Sequence, residues 1–126
     1  MIWHCVIPVK AVGKGRPRVT KSGNAFTPVK TRLVSNQIKY WLLANKPKRI
    51  FDGALEVSIE FWFIKPKSAP KKRYYPTVKP DLDNCDKLVL DCCNKIIWND
   101  DAQIVDLYSQ KRYGIENQIV VKVREL

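Results

Sequence analysis

Histidine is almost missing from this sequence: His4 is the only one. Mechanisms that need a histidine pair are therefore excluded. The cysteines Cys5, Cys85, Cys92 and Cys93 form no C-x-x-C pair, and His4 lies far from the group at 85–93. That spacing does not suit a zinc site, and the cysteines read as buried, reduced thiols of a cytoplasmic protein. No apolar run approaches the ~18–20 residues of a membrane span, and the N-terminus lacks a signal-peptide pattern. Acidic residues are scarce where basic ones abound. Residues 1–80 hold 17 Lys/Arg and 3 Asp/Glu, whereas residues 81–126 hold 6 and 9.

What is present follows from that asymmetry. A net charge of +11, segregated along 126 residues, favours a basic surface for nucleic acid with a small acidic island. The competing reading is an excess that is merely solvated. Apolar content of 45% and charged content of 28% suit a folded chain, and the length suits a single domain over residues 1–126.

Hydrophobic periodicity predicts the elements. Residues 2–9 alternate as a strand with Trp3, Cys5, Ile7 and Val9 on one face; its other face is also apolar, which points to a central strand with His4 packed or hydrogen-bonded. Thr27-Pro28 reads as a helix start, Thr as N-cap and Pro as first helical residue, with Val34, Ile38, Trp41 and Leu42 as the apolar stripe and Lys46-Pro47 as the stop. Residues 54–64 are the clearest strand, with Leu55, Val57, Ile59, Phe61 and Phe63 on one side. Residues 82–95 form a second helix whose seam is Leu82, Cys85, Val89, Cys92 and Ile96. Residues 104–113 and 117–124 read as strands joined by a hairpin at 114–117. The order implies an α+β fold: a mixed or antiparallel sheet of about four strands packed with two main helices.

Two segments carry the candidate nucleic-acid contacts. Lys10 to Pro28 holds Lys14, Arg16 and Arg18 among glycines and a proline, so backbone N–H groups and guanidinium forks could reach phosphates. Lys65 to Lys79 holds Lys71, Lys72 and Arg73 beside Tyr74-Tyr75, in a loop broken by Pro66, Pro70 and Pro76. Aromatics among basic residues suit bases that have left the stack; the plain alternative is a solvated loop with the tyrosines folded back.

The acidic island is Lys79-Pro80-Asp81-Leu82-Asp83-Asn84-Cys85-Asp86-Lys87, followed by Asp100-Asp101. Asp81 and Asp83 fall where an extended segment meets a helix N-terminus, which favours negative charge. Crowded hard oxygen ligands fit Mg²⁺ or Mn²⁺ with water and phosphate completing the shell. The EF-hand pattern fails, since Cys85 and Asp86 stand where it needs an oxygen ligand and a glycine. Lys87, one turn after Asp83, is either an ordinary ion pair or a stabiliser of developing phosphate charge. Asp91–Lys95 reads as a surface pair, and Asp86 as a surface residue. Only one of Asp100 and Asp101 is expected to meet Asp81 and Asp83. Carboxylates with a lysine and no histidine indicate metal-assisted phosphodiester hydrolysis; the other class is a non-catalytic, basic nucleic-acid-binding module.

The run Pro80-Asp81-Leu82-Asp83-Asn84, with Lys87, Asp91, Asn94, Trp98 and Asp100-Asp101-Ala102-Gln103-Ile104, resembles the RusA family of Holliday junction resolvases. Lys14-Gly15-Arg16-Pro17-Arg18 and Ala25-Phe26-Thr27-Pro28 are similar to that family's N-terminal region. The likeness covers most of the chain, and D-x-D-N-x-x-K followed by W-x-D-D-x-Q is far more specific than a lone D-x-D. It implies a small homodimeric endonuclease of bacteria or their phages that nicks branched DNA symmetrically with Mg²⁺, in recombination and repair. By motif position it makes Asp81, Asp83 and Asp101 the metal-binding acids, with Asp100 as the alternative third acid, and Lys87 the catalytic lysine. A two-fold dimer would present two equal sites to a four-way junction; forks and flaps are the alternative substrates. Cys85 stands where a leucine is usual. Lys95 replaces a frequent glycine after Asn94, so Asn94 is expected to supply the left-handed helix end.

Overall fold

The alternating residues of the clearest strand become β4, Leu55–Ile64, whose Leu55, Val57, Ile59 and Phe61 are fully buried. The structure, a computed structural model, describes residues 1–14, 18–19, 21–23, 25–26 and 28–126, with the backbone alone at 18–19 and 25–26. Around β4 lie β1 (Ile2–Ile7), β5 (Ile104–Gly114) and β6 (Gln118–Glu125), in a mixed sheet ordered β1-β6-β4-β5. The helices α1 (Val29–Ala44) and α2 (Leu82–Cys93) pack against each other and cover one face, α1 meeting β1 and α2 meeting β5. A short ladder of β2 (Arg18–Val19) and β3 (Ala25–Phe26) interrupts the segment expected to be all loop. The α+β expectation holds. No helix among the described residues is long and apolar enough to cross a membrane.

The α1 seam behaves as its spacing predicts and the α2 seam does so in part: Leu82 is only partly buried, Ile96 lies beyond the helix end at Cys93, and Leu88 and Cys93 join the buried set. Ile38 and Leu42 of α1 are fully buried, with Val34 and Trp41 packed against them. In α2, Cys85, Leu88, Val89, Cys92 and Cys93 are buried. All four cysteines are free and buried; burial pushes the Cys85 thiol up to about 12, which keeps it protonated and inert. α1 stops as expected near Lys46-Pro47, and Asn45 closes it by donating its side-chain amide to the Trp41 carbonyl at 2.8 Å.

Four expectations about neighbours fail. β5 and β6 do not form a hairpin: β4 lies between them, parallel to β5 and antiparallel to β6. Residues 115–117 cross the end of β4, a gap of two strand spacings or about 9.6 Å, and Asn117 Oδ1 accepts the Ile64 N–H at 2.9 Å. β1 is an edge strand, with Ile2 75% and Val6 46% exposed, and His4 is exposed rather than packed. Pro28 precedes the helix instead of opening it, its carbonyl accepting the Arg32 N–H at 3.1 Å; the expected cap, Thr27, lies outside the described residues. Lys95, not Asn94, takes the left-handed conformation after α2 (φ 69°). The left-handed residue thus falls at the position where the family resemblance leads one to expect glycine.

Candidate active site

α2 begins with Asp81 as its extended N-cap residue and Asp83 exposed in its first turn. Asp81 makes no capping hydrogen bond. Its carboxylate instead meets the Lys79 ammonium at 2.8 Å, and that contact holds it below the ordinary carboxylate range, with Lys111 adding to the pull. Lys87 is exposed one turn beyond Asp83. The upstream chain passes close by: a Cβ on Gly13 would lie 3.2 Å from the Asn84 Cβ, and the Lys14 N–H donates to the Asn84 carbonyl at 3.1 Å. A side chain at position 13 would be a tight fit there, and Asn84 or the segment would have to give by a few tenths of an ångström.

β5 contributes what the sequence did not suggest. Ser109, Lys111 and Tyr113 stand level with Ile59, Phe61 and Phe63 of β4, on the face that meets the helices. Ser109 Oγ donates to Asp86 at 2.6 Å, so Asp86 is half-buried and bonded rather than a surface residue. Burial raises its pKa and the nearby Asp83 charge adds to the rise, while the Ser109 bond opposes both. Lys111 Nζ donates to the carbonyls of Val78 at 2.7 Å and Pro80 at 2.8 Å, which ties the residues before Asp81 to the sheet.

The Asp86 environment yields a pH prediction. A carboxyl whose folded pKa lies above its unfolded value destabilises the fold where it is ionised in both states, and that cost vanishes once pH falls below the unfolded value, about 3.9. Asp86→Asn can still accept the Ser109 bond without a buried charge. It is expected to raise the melting temperature at pH 7 and to lose that advantage below about pH 4. A lower melting temperature at pH 7 would instead make the carboxylate itself stabilising.

The second acidic pair is divided by its hydrogen bonds. Asp100 caps the 3-10 turn Asp101–Gln103, accepting the Ala102 N–H at 3.2 Å, while Gln103 accepts the N–H groups of Asn99 and Asp100 at 2.9 and 3.0 Å. Gln103 also donates to the carbonyls of Phe51 and Gly53, at 3.2 and 3.0 Å. This capping box uses Asp100 to build the turn, and the Ala102 N–H holds its carboxyl below the usual range. Asp101 is pushed upward, first by the bond it shares with Asp100, then by partial burial and the charges of Asp100 and Asp91. Asp91 does not pair with Lys95. Its partner is Lys14, an exposed ion pair worth about 0–1 kcal/mol.

The acids therefore lie along α2 rather than in a closed cage. Asp83, Lys87 and Asp91 follow one another at four-residue steps and are all exposed, a ridge about 12 Å long, and Asp101 feels the Asp91 end of it. Among the described residues, no three His, Cys, Asp or Glu side chains gather closely enough to hold a metal ion. The donor set still fits a hard cation held by one or two carboxylates, with water and phosphate supplying the other ligands. Of the basic candidates, Lys14 is drawn to the ridge, Lys71 and Lys72 are exposed, and Arg73 is partly buried. Arg16 and the Arg18 side chain lie outside the described residues. Tyr74 and Tyr75 are 77% and 59% exposed rather than folded back, and the Arg112 guanidinium sits 5.2 Å from the Tyr75 ring.

Sequence reasoning missed Ser109, Lys111 and Tyr113 at the site and misplaced Asp86 and Asp91. The available signal was the phase of β5, where Ser109 and Lys111 alternate in step with Leu107 and Tyr113.

Comparison with known proteins places the sequence in a family. Residues 8–124 match the family described as Endodeoxyribonuclease RusA. The chain is 31% identical over 128 residues to the uncharacterized protein YqaN of Bacillus subtilis (strain 168), covering 91% of this chain and 90% of that protein. It is 34% identical over 94 residues to the crossover junction endodeoxyribonuclease rusA of Lactococcus phage r1t, covering 71% and 70%. With an acid-and-lysine helix in a strongly basic chain, and a family match over nearly all of it, this protein belongs to the RusA family of endodeoxyribonucleases.

Proposed function

We propose that this endodeoxyribonuclease acts as a homodimer on four-way DNA junctions, introducing paired, symmetric, Mg²⁺-dependent nicks in recombination and repair. The observation that carries the reading is the exposed Asp83–Lys87–Asp91 ridge with Asp81 at its head, in a chain of net charge +11. The crossover-junction activity named for the phage relative supports the choice of substrate. Asp81 and Asp83 would hold the cation; Asp101, the third acid that the family resemblance implies, lies toward the Asp91 end of the ridge and would act on the bound water or phosphate from there, since Asp100 is occupied in its turn. A bound divalent ion would acidify a water molecule and clamp phosphate oxygens.

The chain's own groups supply position and charge. Lys111 holds the backbone leading into Asp81. Lys14 ties the segment before Arg16 and Arg18 to α2. The Lys87 ammonium, one turn from Asp83, stabilises charge developing on the scissile phosphate. Lys71, Lys72 and Arg73 extend the phosphate contacts, so binding weakens steeply with salt.

The test incubates the protein with a synthetic four-way junction, with and without Mg²⁺, and maps the nicks to the nucleotide. Metal-dependent nicks at symmetric positions on opposed strands are expected. Equal cutting of forks and flaps would redirect the substrate assignment, and no metal-dependent nick on any DNA would overturn it. Lys87→Ala is expected to slow nicking about 10²–10³-fold, the usual cost of one donor to a developing charge, with near-normal junction binding. An equal loss of binding would make Lys87 a contact residue only.

A further inference from the structure

We propose that the large cleft beside Asp81 receives a nucleobase unstacked from the DNA next to the scissile phosphate, an inference that rests on Asp81 and Asp83 being the nicking site. The cleft has a volume of about 800 Å³, within the ~300–1,000 Å³ typical of small-molecule sites. Three aromatic rings from three elements line it: Trp41 of α1, Phe63 of β4 and Tyr113 of β5. Every base has a π-face, so such walls can accept any of them by stacking.

Charge and position narrow the occupant to nucleic acid. Lys10 and Lys30 line the cleft together with Lys79, which pairs with Asp81, and Lys111, which holds two backbone carbonyls, and no carboxylate among the described residues lines it, which suits a ligand that carries phosphates. Val78, Lys79 and Lys111 also line the open depression that contains Asp81. The cleft and the acidic site are thus neighbours across one backbone segment, which Lys111 pins through the Val78 and Pro80 carbonyls. A strand with its phosphate at Asp81 has its adjacent base at the mouth of the cleft.

Tyr113 offers a reading group. Its hydroxyl is buried without a hydrogen-bond partner among the described residues, an arrangement that folded proteins rarely leave unanswered. The hydroxyl has almost no accessible surface in the empty cleft, so the edge of an incoming base can supply the partner once the ring turns toward it. Extruding a base costs least where its neighbours already hold it weakly, and at the open centre of a junction the stack on one side of each pair is interrupted.

The experiment compares single-turnover nicking of intact junctions with junctions carrying an abasic nucleotide beside the nick, using the full chain with Mg²⁺. Tyr113→Phe removes one oxygen and is expected to lower the rate on the intact junction about five- to tenfold, leaving the rate on the abasic junction unchanged. Val34→Phe, which fills the cleft, is expected to show the same selectivity with a larger loss; Tyr113→Phe keeps the test readable where Val34→Phe does not fold. Equal losses on both substrates, or no loss on either by both variants, would overturn the proposal. Equal losses with a change of oligomeric state in gel filtration would assign the cleft to a second copy of the chain and also overturn it. A wild-type protein that nicks neither junction would reject the nicking-site reading itself, a result distinct from these.

Discussion

Asp83→Asn is expected to leave the protein folded and junction-bound while lowering nicking by more than about a hundredfold. Residues that merely support metal ligands already cost about 10–100-fold when changed, and a ligand stands one step closer to the chemistry. The fold depends little on this carboxylate. Asp83 is exposed in the first turn of α2, whereas Asp86, Asp91 and Asp100 are each held by a hydrogen bond or ion pair. Losing its charge forfeits about 0.3–1 kcal/mol of helix-terminus stabilisation, partly offset because Asp86 no longer faces a neighbouring anion. Asparagine keeps the shape and removes the charge that a divalent cation requires. Single-turnover nicking in Mg²⁺ and a gel shift in Ca²⁺ separate catalysis from binding. Full activity in a folded variant would remove Asp83 from the site.

Trp98→Ala should have the largest effect on stability, about 3–5 kcal/mol, from a total that for proteins in general is only about 5–15. Trp98 is fully buried, and its indole N–H donates to Asn94 Oδ1 at 2.7 Å. Its backbone bridges to Phe51 and Asn94, and its carbonyl accepts the Lys95 N–H at 2.6 Å. It therefore packs the corner that carries the chain from α2 to the Asp100–Gln103 capping box. Truncation leaves a cavity beneath that corner and frees the turn that holds Asp101. Denaturant unfolding should show a much earlier midpoint, and residual nicking should fall even where the protein is folded. Trp98→Phe keeps most of the packing and should lose only about 1 kcal/mol for the missing hydrogen bond. A loss below about 1 kcal/mol for Trp98→Ala would mean that the corner is held chiefly by its backbone bonds.

The parts of the site that were legible in the sequence are those set by local spacing. Asp81 and Asp83 mark the start of α2 because a proline precedes them and an apolar seam follows. Lys87 falls one turn on by helical period alone. The Gln103 turn could be read only as a turn, because its bonds to Phe51 and Gly53 reach about fifty residues back. Asp86 looked like surface since its partner, Ser109, belongs to a strand 23 residues later. Asp91 was assigned the lysine one turn further on, Lys95, but Lys14 reaches it from near the N-terminus.

Sequence by itself determined the main elements, most of their buried faces, the inert thiols, the segregation of charge and the acid-and-lysine helix, because periodicity and composition act within a few residues of one another. Only the tertiary structure decided which strands are neighbours, so that β4 separates β5 from β6 and β1 lies at an edge. An alternating strand specifies which face is buried, and any complementary strand satisfies its backbone hydrogen bonds equally well. The same pairing sets Ser109, Lys111 and Tyr113 of β5 against the start of α2 and the Val78–Pro80 segment. The cleft beside Asp81 follows from that pairing, since its walls come from elements that meet only when the sheet and helices pack.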